Sequence, residues 1–415
     1  MKYSYVVTYC VDAICRSPFR TAGINGEASF IQLRHDGVPI LQGSGIAGAL
    51  RNWMVETLDE SFATTFFGSQ EHSGCLIVSD MIFQCADIQT RPRIRMDYKT
   101  GTAMKHAKFD VAHIGKDTKG TFMLTWLGSR ETVAQTEYIE QMLSAIQRGF
   151  IRFGAQKTNG FGQFDISVQC CHQDLTVKEQ REAYLKDQYD WADCKLPEIT
   201  ESNMVTFIIQ GTIPQILVKS GTPELRKTGS VATNLSENGE YFLPASSVKG
   251  VLRNQVQQIA DFMKIPAIYV EDLFGRESND TDLGQCGQVF VSDVKLSSDQ
   301  KQKITRIRID QFTGGVIRGG LFSEEPLCSE IEIQIYVPVK NKVGCGLLLY
   351  ALRDTVLGLC TFGSGAAIGR GQLQHGKIYV ILPEGEHIPL QQDTISHPFF
   401  MQCLQSVEEV RGDLL

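Results

Sequence analysis

Residues 244–254 read PASSVKGVLRN, and residues 42–52 read QGSGIAGALRN. Both run from small residues into Leu-Arg-Asn, the pattern of a turn that feeds an amphipathic helix. In the first copy Ser44 is placed to cap the helix, and Ile46, Leu50, Trp53, Met54 and Leu58 fall on one face. In the second, Ser246 or Ser247 is the cap, and Val248, Val251, Leu252, Ile259 and Phe262 form the matching face.

Four further elements recur around this pair in the same order, with a period near 205 residues. Alternating apolar segments open each half, at 3–12 and 204–218. Phe67-Gly68 and Phe274-Gly275 precede short strands, LIVSDM at 76–81 and VFVSDV at 289–294. Next come RIRMDYKTG at 93–101 and RIRIDQFTG at 306–314. Glycine-rich loops close each half, FGAQKTNGFGQF at 153–164 and FGSGAAIGRGQL at 362–373. A period this long means two fused domains and not a solenoid of short repeats. Second helices are expected at 132–149 and 345–361, and the mixture suggests α+β units with a sheet covered by helices. The expected layout is a first domain at 1–173, a charged linker at 174–203, a second domain at 204–384 and a loosely held tail at 385–415.

Composition agrees with folded domains. The 415 residues predict about two to three domains, and 42% hydrophobic with 21% charged residues excludes disorder and coiled coil. No apolar run is long enough to span a bilayer, and the start alternates like a strand, so a cytoplasmic protein without a membrane partner is expected. Twelve cysteines with no C-x-x-C spacing suggest reduced thiols, and Cys170-Cys171-His172 lacks the second ligand pair of a metal site. A net charge of −7 argues against a sequence-blind nucleic-acid coat and makes the local distribution of charge decisive.

That distribution is uneven. Arg91, Arg93, Arg95, Lys99, Lys105, Lys108, Lys116 and Lys119 gather in one insert against three aspartates, with Tyr98 and Phe109 among them. The second copy carries Lys301, Lys303, Arg306, Arg308 and Arg318 with Phe312 and Phe322. Cations interleaved with rings suit a groove for single-stranded nucleic acid, the bland alternative being a solvated charged face. The helix starts, with Ser44, Gly45, Arg51, Ser246, Ser247, Lys249 and Arg253, suit a phosphate at a helix N-terminus. The glycine loops, with Lys157 and Arg370, lead into strands, so a dinucleotide fingerprint fails and a phosphate nest of backbone amides or a plain tight turn remains. The eight histidines are scattered, and His106 and His113 read as surface or phosphate-contact residues. No nucleophile, zinc or P-loop motif occurs.

Taken together, these elements resemble the RAMP superfamily, and within it the backbone subunits of type III CRISPR effector complexes. Gln42–Asn52 and Pro244–Asn254 match that family's helix start, Ile94–Lys105 and Ile309–Phe322 its thumb, and both glycine loops its C-terminal loop. The resemblance implies two tandem ferredoxin-like domains that hold guide RNA and its duplex with target RNA, beside neighbouring backbone and other effector subunits. Base pairing then reads sequence, while protein reads backbone and shape. It implies phosphate contacts from the serines, glycine, arginines and lysines named above. It also implies endoribonuclease activity on the target at roughly six-nucleotide spacing, with Mg²⁺, no organic cofactor, and an aspartate in the loop after the opening strand. At the matching spots stand Glu27 or Ala28, and Thr228 or Gly229, so Glu27 is the substitute in the first half and Glu224 or Glu237 in the second. Guide binding, with weak or absent cleavage from at least one half, is therefore expected. Two rivals remain: a guide-processing endoribonuclease of the same superfamily, and a two-domain enzyme or scaffold for a small anionic metabolite.

Overall fold

The computed structural model describes residues 3–21, 30–84, 86–198, 203–219, 231–277, 283–297, 300–391 and 393–411. It divides into two compact units, 1–91 with 110–157 and 161–200, and 92–109 with 158–160 and 201–415.

In the first unit, Tyr5–Cys15 is a central strand because Val7, Tyr9, Val11 and Ala13 alternate toward a core and prefer extended backbone. It pairs antiparallel with Lys119–Gly128 on one side and Phe164–Asp174 on the other. Leu76–Val78 and Met81–Gln84 both pair with Lys119–Gly128, giving the strand order fourth, first, third, second. Helices Gly43–Thr57 and Thr136–Arg148 supply Ile46, Leu50, Met54, Ile139, Met142 and Ile146 to the same core. The second unit repeats the order. Met204–Ile216 lies between Leu327–Pro338 and Gln374–Ile381, with Phe290–Val291 on the far side of Leu327–Pro338. Helices Ala245–Met263 and Lys342–Val356 join its core. Both units are α+β and ferredoxin-like, the class expected from the sequence.

Several local expectations are corrected. Leu58 ends outside the first helix and is 36% exposed, while Phe262 is 79% exposed. The buried stripe of the second helix continues instead through Val256, Ala260 and Met263, the spacing that keeps one face toward the sheet. The tail is not loose. His387–Pro389 pairs with Gln374–Ile381, and the helix Pro398–Glu409 buries Phe399, Phe400, Cys403 and Val407 in the second core. The stretch after residue 174 forms a helix, Lys178–Leu185, and an edge strand, Ala192–Asp193, paired with Phe164–Asp174.

Candidate nucleic-acid interface

Each helix start is held from a distance. The first helix has Gln42 at its cap and no side-chain cap; its first amide, Gly43 N–H, donates to Asp80 Oδ1 at 2.7 Å. Likewise Pro244 precedes the second helix, and Ala245 N–H donates to Asp293 Oδ1 at 2.9 Å. Ser44, Ser246 and Ser247 are therefore not the caps. The recurring Ser-Asp between two short strands does that work, which the sequence showed only as a repeat. Ser44 and Gly45 are exposed, and Ser246 and Ser247 are half-buried. Arg51 pairs with Glu60 of the next helix. Lys249 is 8% exposed, and burial pushes its amine down to about 8, with Arg253 adding to the shift and Cys286 opposing it. Arg253 itself is exposed.

The basic inserts are antiparallel hairpins. Ile88–Met96 and Ala103–Ile114 form the first, and Ile304–Ile309 and Val316–Glu324 the second. Their tips are the same turn. Asp97 Oδ1 accepts from the amides of Lys99 and Thr100 at 2.8 and 3.1 Å, and Gly101 N–H donates to Asp97 O. Asp310 Oδ1 accepts from the amides of Phe312 and Thr313 at 3.0 and 2.8 Å, and Gly314 N–H donates to Asp310 O. Gly101 and Gly314 both sit at φ 65°, which a side chain would resist. Those backbone amides hold both aspartates below the usual carboxylate range. The shared Asp-x-x-Thr-Gly therefore builds a loop.

The side chains around the turns differ. Within the second unit Arg95 pairs with Glu277 at 2.8 Å and Tyr98 Oη donates to Asp261 at 3.2 Å. Lys99 and Lys105 are exposed, and Arg93 is half-buried. On the second hairpin Arg308 lies over the Phe322 ring, Arg318 is exposed, and Phe312 is 94% exposed. Arg91 and His113 are corrections: at 3% and 0% exposure both are buried against the Phe161 ring.

Amides of both glycine loops bond to the chain at the end of each opening strand. Ala155 N–H donates to Arg20 O and Gly162 N–H to Pro18 O; Ser364 and Gly371 repeat this with Leu217 O and Gln215 O. In the second loop the amides of Ile368, Gly369 and Arg370 are also bonded within the loop. A Cβ on Gly162 or Gly371 would come within 2.0 or 2.1 Å of the Phe153 or Phe362 carbonyl oxygen, so the glycines serve close approach. Lys157 is half-buried and its carbonyl accepts from Arg152. Arg370 is a further correction: its side chain is 1% exposed and pairs with Glu324 at 2.7 Å, while Arg306 approaches the same carboxylate at 3.5 Å. Buried and paired in this way, it presents no surface for a ligand.

Of the catalytic candidates, Glu27, Ala28, Glu224, Thr228 and Gly229 lie outside the described residues. Glu237 sits on the short strand Ser236–Glu237, paired with Glu240–Leu243. Among the described residues no group of three or more His, Cys, Asp or Glu is placed to hold a metal, Cys170, Cys171 and His172 included. No described helix is long and apolar enough to cross a membrane.

No curated protein matches the chain. Among solved structures it is similar to a chain of "Cryo-EM structure of the Type III-B Cmr-beta bound to cognate target RNA", at 15% identity and a TM-score of 0.33. The match covers 40% of this chain and 61% of that one. The RAMP superfamily profile matches residues 13–165 and again 218–374, one region for each half of the duplication. With both repeats matched and both folded in the same strand order, the chain belongs to the RAMP superfamily.

Proposed function

We propose that this chain is a guide-RNA-binding backbone subunit of a type III RNA-guided effector complex, with complementary target RNA and neighbouring backbone subunits as its partners. The observation that carries this reading is the pair of basic hairpins with matching tips, raised from two RAMP domains in a protein whose net charge is negative. Exposed Arg308 and Arg318, on the hairpin that carries the bare Phe312 ring, supply phosphate contacts, and that ring a surface on which a base can stack. The reading makes the protein a holder of RNA first and a nuclease second.

The test is binding of a labelled single-stranded RNA by the purified chain across a salt series. Binding with a log–log salt slope of several units is expected, with Phe312→Ala losing about fivefold to a hundredfold in affinity at unchanged stability. Absence of RNA binding at low salt would refute the reading. For cleavage, a 5′-labelled complementary RNA with guide and Mg²⁺ should give no product that depends on Glu237; a band lost in Glu237→Ala would assign it a catalytic role.

A further inference from the structure

At the base of the second hairpin one carboxylate is shared by three cations from three separate elements. Glu324, at the end of the strand Val316–Glu324, is 4% exposed. Its Oε2 accepts from Arg370 Nη1 at 2.7 Å, Lys219 Nζ stands 2.9 Å from Oε1, and Arg306 Nη2 stands 3.5 Å from Oε2. Three cations against one anion leave a formal excess of two positive charges. The cations are not equivalent. The Arg370 side chain is 1% exposed and its Nε and Nη2 meet no acceptor, whereas the side chains of Lys219 and Arg306 are 49% and 29% exposed. Burial works to protonate Glu324, but the bonds from Lys219 and Arg370 outweigh it and hold the group ionised.

The first half lacks this arrangement. Aligned on the shared turn, the position matching Glu324 is Val111, which is 1% exposed. Aligned on the glycine loops, the position matching Arg370 is Phe161, with the Arg91 guanidinium 5.3 Å from its ring centre. The buried carboxylate is therefore no general requirement for building a hairpin on this fold.

A carboxylate and a phosphodiester both present two charged oxygens to a cation, and an arginine or lysine serves either. We propose that Glu324 is a built-in competitor for RNA. It occupies Lys219 and Arg306 in the free protein and yields those two outer cations to an RNA phosphate, while Arg370 keeps it in place. The inference rests on the RNA-binding reading above. It makes the second hairpin bind RNA more weakly than its cations allow, since each phosphate contact there displaces an internal anion. A merely structural ion pair would leave RNA affinity indifferent to its charge.

Glu324→Gln separates the two, because the amide still accepts from Arg370 and carries no charge to hold the outer cations. Anisotropy of a labelled single-stranded RNA with the full chain should show about fivefold to tenfold tighter binding at low salt. The log–log salt slope should steepen by about 0.7 for each cation released. Adding Lys219→Ala or Arg306→Ala should remove that gain, and cost more affinity in the Glu324→Gln background than in the wild type. Unchanged affinity and slope in a Glu324→Gln protein that melts normally overturns the proposal and leaves RNA binding by the wild type intact. RNA binding by neither protein overturns the reading beneath it as well. Should Glu324→Gln fail to melt cooperatively, Lys219→Ala and Arg306→Ala alone decide: a shallower salt slope supports the exchange, and an unchanged slope overturns it.

Discussion

The hairpin of residues 88–114 and the hairpin of residues 304–324 end in the same aspartate-held turn, yet Tyr98 beside the first turn is half-buried and bonded to Asp261, whereas Phe312 beside the second is 94% exposed. Their bases diverge too. The first is closed by Val111, Phe161 and Arg91, and the second by Glu324 and Arg370. One local sequence, Asp-x-x-Thr-Gly, thus fixes a turn in two settings without fixing what surrounds it. Duplication kept the scaffold and let the two halves differ in charge and exposure.

The largest expected effect breaks the comparison at the hairpin bases. Glu324→Ala leaves Arg370 buried without its counter-ion and should cost about 3–5 kcal/mol in thermal unfolding. Val111→Ala leaves only a small cavity and should cost about 2 kcal/mol. Equal losses would mean that the buried charge is not held as described. Next come the glycine loops, where the halves should agree. Gly162→Ala and Gly371→Ala each force a Cβ against a carbonyl oxygen at a left-handed φ of 81° or 78°, a loss of about 1–3 kcal/mol in either unit. A loop that tolerates alanine would have to have moved.

Smaller still are the remote caps. Asp80→Ala and Asp293→Ala should each lower stability by about 1 kcal/mol, whereas Ser44→Ala and Ser246→Ala should stay within about 0.5 kcal/mol. The reverse order in urea unfolding would return capping to the serines. The finest comparison is at the tips. Asp97→Ala and Asp310→Ala should speed amide hydrogen exchange at Lys99–Gly101 and Phe312–Gly314 with little change in melting. Both carboxyls lie below their usual pKa, so the order they give is present above the ordinary carboxylate range and lost as pH falls through the lowered value. Protection unchanged in acid would show that the turns do not depend on the charge.

Much of this was legible beforehand. Alternation at 3–12 and 204–218 gave the central strands, and the apolar spacing after Gly43 and Ala245 gave the helices, because both signals are periodic over a few residues. The tail was misjudged, since its prolines suggested a loose end, while Phe399, Phe400 and Cys403 find a groove formed by distant residues. His113 follows the same rule: a polar residue in a basic stretch looks exposed until its strand is placed, and here it is buried. Among the RNA candidates, charge was visible in the sequence but availability was not. Arg370 and Lys249 are buried, Arg51 is engaged with Glu60, and Arg308 and Arg318 stand in the open.

The sequence by itself determined the duplication, carried by motifs that recur in the same order, and the order of strands and helices, which depends on residues within one turn or one strand of each other. Only the tertiary structure decided that Asp80 and Asp293 cap helices 37 and 48 residues away, and that Glu324 gathers Lys219, Arg306 and Arg370 from three elements. Capping from afar and burial of charge require loops to close and solvent to leave. Whether a given cation meets water or a carboxylate is therefore settled by packing, not by the residues beside it.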